Sequence, residues 1–158
     1  RVLFVVENNF YSVYTHIRER QSDLREISQI ARGHGIDAFV GDGNDASEVL
    51  RLGATAVRRI RDEARPALLE FKTYRWLEHC GPDADDHLNY RDASEVGEWI
   101  SKDPIQRLEE QILEQSLLRR GDIEAHLERI GLEIQEAFDF ATSSSFPHEE
   151  ELDSDVYP

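Results

Sequence analysis

The chain has a single cysteine, Cys80. It therefore has no internal disulfide, and such sparing use of cysteine suits a reducing compartment, so the expected location is cytoplasmic. Positive charge is also scarce. Eighteen Lys and Arg face 33 Asp and Glu, a net charge of −15 at pH 7 with a pI of about 4.7. That balance argues against a nucleic-acid partner, which would need a basic face, and favours solubility or a basic protein partner. No apolar run approaches the roughly 18–20 residues of a membrane-crossing helix, so no membrane association is expected. No signal peptide is visible. The chain opens at Arg1 without methionine, already beside a core-like apolar run with few strands to flank it, and reads as part of a longer polypeptide. Its 158 residues still suffice for one domain with a sizeable core.

The apolar run is Val2-Leu3-Phe4-Val5-Val6. It has no polar residue and no alternation, the pattern of a strand buried on both faces of a parallel sheet. Ligands of such sheets bind just beyond the carboxyl ends of the strands. Glu7-Asn8-Asn9-Phe10-Tyr11 occupies that position. An Asn amide oxygen and a neighbouring backbone carbonyl are hard oxygen donors suited to a magnesium ion that carries a diphosphate. The plain alternative is a strand-to-loop turn, where Asn is common.

Downstream, Ser22-Asp23 with Glu26 reads as a capped helix start, with Leu24, Ile27 and Ile30-Ala31 as its apolar face, ending at Gly33-His34-Gly35. Ile36–Val40 is a second strand. Asp45 and Glu48 open a helix that runs to about Ala64 and is stopped by Pro66, and Ala67–Phe71 is a third strand. This β-α-β-α-β order predicts an α/β fold with a parallel sheet. After an irregular loop from Tyr74 to Arg91, helices are predicted at Ser94–Ile100, Pro104–Gln115 and Asp122–Ala141, with Pro104 at a first helical position. The apolar stripes of the last two helices must pack on something, a partner subunit included. Residues 1–91 thus read as an α/β domain, 92–141 as its helical extension and 142–158 as an acidic arm.

Two loops carry chemistry-bearing side chains besides the Asn pair. Gly41-Asp42-Gly43-Asn44 would serve a phosphate or a metal, but a strand-to-helix turn with an N-cap accounts for it more simply. Thr73-Tyr74-Arg75-Trp76-Leu77-Glu78-His79-Cys80, continuing to Arg91, follows the third strand on the edge that holds Asn9. His79 could donate to a phosphate oxygen or move protons, and Arg75 and Arg91 could hold anions. His79, Cys80, Asp83, Asp85, Asp86 and His87 match no zinc spacing, and a solvated polar loop is the bland reading.

Together these motifs resemble the C-terminal half of the α subunit of thiamine-diphosphate-dependent 2-oxo acid dehydrogenases, the family of the pyruvate, branched-chain 2-oxo acid and acetoin enzymes. The resemblance rests on Phe4-Val5-Val6-Glu7-Asn8-Asn9-Phe10-Tyr11, Val40–Asp45, Glu70–Arg75, Tyr90-Arg91 and Lys102-Asp103-Pro104-Ile105, with Glu151-Leu152 and Val156-Tyr157 near the end. It implies the thiamine-diphosphate-binding fold, and thiamine diphosphate and Mg2+ as cofactors. Asn9 would be a side-chain ligand of the metal, and Tyr11 would give it a backbone carbonyl. His79 would be the catalytic-loop histidine that approaches the diphosphate, with Arg75 on the cofactor side and Arg75 and Arg91 ordering the loop. The implied activity is decarboxylation of a small-molecule 2-oxo acid with transfer of the acyl group to a lipoyl carrier. The implied partners are a β subunit, in a heterotetramer of two α and two β chains, and a lipoyl-bearing acyltransferase. The family's acidic Gly-Asp-Gly lies upstream of the Asn pair, so Gly41-Asp42-Gly43, downstream, is not its equivalent, and this piece alone is expected to be inactive. Glu78-His79-Cys80 stands where the family usually has Gly-His-Ser, which leaves the substrate open. The alternatives are a divergent thiamine-diphosphate enzyme acting on another substrate and a catalytically silent module kept for subunit assembly.

Overall fold

The computed structural model describes residues 1–154; the Val156-Tyr157 motif lies outside them. The chain divides into two compact units, Arg1–Gln111 and Ile112–Pro158. In the first, three strands, β1 (Leu3–Asn8), β2 (Asp37–Asp42) and β3 (Ala67–Lys72), form a parallel sheet in the order β1-β3-β2. Leu3 and Asp37 both pair with Ala67, and Asn8 and Asp42 both pair with Lys72. All three strands therefore end at one level, and the loops that follow them share one edge.

The core lies between β3 and the helix α2 (Ala46–Glu63). Leu52, Ala56 and Ile60 recur every fourth residue on one helix face and are buried against Ala67, Leu69 and Phe71. Asp45 caps α2 by accepting a hydrogen bond from the Glu48 amide at 3.0 Å. At its other end Ala64 turns left-handed, with φ of 55°, two residues before Pro66.

Two expectations shift. The helix predicted from Ser22 instead begins at Ile27: α1 is Ile27–Gly33, capped by Glu26, with Gln29 accepting from the Glu26 amide at 3.3 Å. The Glu26–Gln29 pair outcompetes Asp23–Glu26 because Ser22 is drawn into a turn of its own, accepting from Arg25 at 2.9 Å. Leu24, expected on the apolar face, is 87% exposed. The second shift is in β1. Among the described residues it has a strand neighbour on one side only, and Phe4 and Val5 are 47% and 57% exposed, so these residues do not bury the strand on both faces.

The helices α3 (Ala93–Ile100) and α4 (Pro104–Glu114) follow, capped by Asp92 and Asp103, whose carboxylates accept from Ser94 and Ile105. In the second unit, α5 (Arg120–Ser143) starts where Asp122 accepts from the Arg119 amide at 2.9 Å. Its Leu127, Ile134 and Phe138 are exposed. Among the described residues no helix is long and apolar enough to cross a membrane.

Candidate functional site

The site is built on the common carboxyl edge of the sheet. Asn8, the last residue of β1, and Asn9, the first beyond it, each fold back onto the backbone two residues on. Asn8 Oδ1 accepts from the Phe10 amide at 3.2 Å, and Asn9 Oδ1 accepts from the Tyr11 amide at 3.0 Å. Phe10, between Asn9 and Tyr11, is left-handed, with φ of 65°. For a residue with a Cβ this costs of order 1–3 kcal/mol. The flanking bonds hold it there, as does the Phe10 carbonyl accepting from Ile17 at 2.7 Å. That last bond, with Ser12 N–H to Thr15 O, closes a bridge between Tyr11 and His16 that does not use the Tyr11 carbonyl.

The loop after β3 meets this segment through aromatic rings. The Tyr11 ring lies edge-on to those of His16, Tyr74 and Tyr90, and Tyr74 stacks on Trp99 of α3 at 5.5 Å. Two tyrosine hydroxyls donate to one oxygen of Glu95, Tyr11 at 2.7 Å and Tyr74 at 3.2 Å. Burial first, then the carboxylate beside them, holds both phenols protonated: Tyr11 is pushed well above its ordinary value and Tyr74 up to about 12.

Arg75 joins the two loops. Its guanidinium donates to the carbonyls of Ser12 and Val13 at 3.3 and 2.9 Å, to Leu77 O at 3.0 Å and to the Tyr90 hydroxyl at 2.8 Å. It also meets His79 Nδ1 at 3.2 Å. A guanidinium can only donate, so His79 accepts at Nδ1 and carries its ring proton on Nε2. His79 and Cys80 are exposed. Beneath them lies a buried ion pair. Asp85 is 0% exposed and accepts from both the Tyr90 hydroxyl and Arg91. Arg91 also donates to the carbonyls of Arg75 and Trp76. Burial penalises the Asp85 carboxylate, but the Tyr90 bond and the charges of Arg91 and Arg75 outweigh it and hold its pKa below the ordinary range.

The glycine turn between β2 and α2 has other work. Gly43 donates to Lys72 O at 2.8 Å, and a Cβ there would lie 2.4 Å from Thr73 Cγ2. Asp42 and Asp45 pair with Arg107 of α4 at 2.8 and 3.3 Å, and Asn44 donates to Lys102 O. This turn caps α2 and ties it to α4.

A model of the dehydrogenase E1 component family matches residues 1–150. The chain belongs to that family. It is similar to pyruvate dehydrogenase E1 component subunit alpha of Rickettsia bellii, 30% identical over 99% of this chain and 47% of the relative. The counterpart from Zymomonas mobilis is 34% identical over 98% of this chain and 43% of its own length. The chloroplastic alpha-3 subunit of Arabidopsis thaliana is 30% identical over 99% of this chain and 36% of its own. The chain thus spans less than half the length of these curated relatives.

The donor chemistry fits the cofactors of this reading in part. Asn9 Oδ1 keeps a lone pair beyond its bond to Tyr11, and the Tyr11 carbonyl stands outside the bridge: two neutral, hard oxygens of the kind Mg2+ takes. The ring N–H of His79, which Arg75 links to the Ser12 and Val13 carbonyls, suits a phosphate oxygen. Among the described residues no three His, Cys, Asp or Glu converge as a metal set. Asp85, Glu95 and Glu70 organise this edge; the sequence offers Asp85 only as one of a loop cluster that matches no zinc spacing, and singles out neither Glu95 nor Glu70. Asp85 sat in a run of acids that reads as solvated. Glu70 had a signal, a lone carboxylate inside the apolar strand Ala67–Phe71.

Proposed function

We propose that this chain is part of the α subunit of a thiamine-diphosphate-dependent 2-oxo acid dehydrogenase, the C-terminal half of its cofactor domain. The observation that supports it best is the meeting, on one sheet edge, of the Asn9–Tyr11 turn with the Arg75–His79 loop, in a chain of the dehydrogenase E1 component family. Asn9 Oδ1 and the Tyr11 carbonyl are the ligands this chain offers to Mg2+. His79 Nε2–H is the donor it offers to the diphosphate, with Arg75 fixing the imidazole from its other side. Bound thiamine diphosphate supplies the chemistry that decarboxylates the 2-oxo acid. The segment's own contribution is to orient metal and diphosphate and to keep the loop from Tyr74 to Arg91 ordered over them.

In the same reading residues 1–91 are the α/β half of the cofactor domain, 92–141 its helical extension and 142–158 an acidic arm. The partners are a β subunit and a lipoyl-bearing acyltransferase that takes the acyl group, and the enzyme works in the cytoplasm. The test is titration calorimetry of thiamine diphosphate into the full-length protein assembled with its β chain, at graded Mg2+. Asn9→Ala should weaken Mg2+-dependent binding about tenfold or more, since it removes one oxygen from the metal. Unchanged affinity would overturn the reading and favour a catalytically silent assembly module.

A further inference from the structure

A carboxylate in the middle of an apolar strand needs a reason. Glu70 lies in β3, the central strand, between Leu69 and Phe71, and is 3% exposed. Burying an acidic side chain is costly unless donors meet both oxygens. Here they do. Asn8 Nδ2 donates to Oε1 at 2.8 Å, and the Ser28 amide, in the first turn of α1, donates to Oε2 at 2.9 Å. The partners come from 62 residues before Glu70 and from 42, so one side chain joins the end of β1 to the start of α1.

The bond to Asn8 does more than hold two strands. Asn8 has one donor end and one acceptor end in its amide. With Nδ2 turned to the carboxylate, Oδ1 must face the Phe10 amide, where it accepts at 3.2 Å. That bond supports the left-handed Phe10, which lies between Asn9 and Tyr11. The strained turn that presents the two oxygens is therefore braced from underneath by a carboxylate that touches neither. Glu70, Asn8 and Phe10, with Trp99 and Lys72, also line a cavity of about 340 Å³ at this edge.

We infer that Glu70, acting through the amide of Asn8, is a positioning residue for the metal-bearing turn at Asn9–Tyr11. The inference rests on the metal reading proposed above. A charge-exchange experiment separates it from a generic core role. Glu70→Gln offers one acceptor and one donor where two acceptors are needed, so a buried N–H loses its partner. Asn8→Asp sets a second carboxylate against the first. In the double variant, the introduced amide donates to the introduced carboxylate, still accepts from Ser28, and leaves an acceptor for Phe10: the same bonds with the charge moved across.

The measurements are the Mg2+ concentration that half-saturates thiamine diphosphate binding by calorimetry and the melting temperature without cofactor, both on the full-length protein assembled with its β chain. Each single variant should raise the half-saturating Mg2+ about tenfold and lower the melting temperature. The double variant should return both close to the parent. Parent-like Mg2+ dependence in the single variants overturns the inference. So does a double variant whose Mg2+ requirement stays as high as the worse single, even if its melting temperature recovers, because Glu70 would then be structural only. If a single variant fails to assemble, the double variant decides by the same criterion. Asn9→Ala in parallel keeps the two claims apart: an unchanged Asn9→Ala removes the metal reading, whereas a weakened Asn9→Ala beside parent-like Glu70→Gln removes only the role of Glu70.

Discussion

The hydroxyl of Tyr11 donates to Glu95 Oε2 at 2.7 Å, and the Tyr74 hydroxyl donates to that oxygen at 3.2 Å. One carboxylate on the first turn of α3 thus holds the loop after β1 and the loop after β3 together, with both rings packed edge to face at 5.9 Å. The loops that the site needs side by side are joined by a bond to a third element.

This arrangement predicts a late phenol titration. Burial and the Glu95 charge raise the Tyr74 pKa to about 12 and that of Tyr11 still higher. A raised folded-state pKa contributes stability that is fully present below the ordinary tyrosine value near 10 and is lost as the pH climbs toward the raised value. Tyrosinate absorbance should show a step near pH 12 that Tyr74→Phe removes. Tyr11→Phe keeps the ring and the backbone carbonyl and loses only the bond, which should cost about 1 kcal/mol in melting experiments. A Tyr74→Phe protein with an unaltered absorbance titration would refute the coupling.

Asp85 predicts the opposite sign at the acid end. Its depressed pKa contributes stability that is present above the ordinary aspartate value near 4 and is lost as the pH falls through the lowered one. The loop between Tyr74 and Arg91 should stay protected in hydrogen exchange at about pH 5 and open on further acidification. Asp85→Asn takes the nearer carboxylate from Arg91, whose side chain is 2% exposed, and leaves its charge facing the outlying Asp86 at 3.6 Å besides the backbone carbonyls it already holds. Stranding a buried charge costs about 3 kcal/mol or more, so the variant loop should be cleaved rapidly by protease at neutral pH. Resistance equal to the parent's would show that the ion pair does not order it.

His79 sits at the tip of that loop with Arg75 on its Nδ1. His79→Ala in the full-length protein assembled with the proposed β chain should lower turnover roughly tenfold or more, about 1.4 kcal/mol, while leaving the Mg2+ dependence near the parent's, because the proposed metal ligands are Asn9 and Tyr11. Turnover equal to the parent's would remove His79 from the site.

The elements and their direction were legible because short-range rules decide them. The 4-residue spacing of Leu52, Ala56 and Ile60, the caps at Asp45 and Asp103 and the stop before Pro66 all act within a turn or two of chain. Parallel strands then put Asn9 and Arg75 on one edge. The start of α1 was misread because two acid-led caps overlap in Asp23, Glu26 and Gln29, and the winner depends on the turn that Ser22 makes. Glu70 and Glu95 stayed hidden for a different reason: a carboxylate inside a fold is recognised by its partners, and Glu70 finds Asn8 and Glu95 finds Tyr11 across 62 and 84 residues of chain. Periodicity carries no trace of such pairs.

The apolar run Val2–Val6 leads to the last prediction. Among the described residues β1 is an edge strand, paired only with β3, and Val2, Phe4 and Val5 are 50%, 47% and 57% exposed. Soluble proteins guard such edges with charge, proline or a covering element, and this one carries none within the run. Each of these side chains is worth about 1.5–3 kcal/mol when fully buried, so covering the strand is strongly favoured once neighbours are supplied. The full-length protein with its β chain should bury it and form a heterotetramer by light scattering. Val5→Lys should then cost assembly: a lysine is tolerated on an exposed strand but not on a covered one, and it should shift the protein toward smaller species and lower the melting temperature by several degrees, about 2 kcal/mol. The chain of 158 residues alone should behave in reverse, aggregating as the parent and staying dispersed as Val5→Lys. A full-length Val5→Lys protein that assembles and melts like the parent would mean that the face stays open in the full-length protein, and that the apolar run serves something other than a buried sheet.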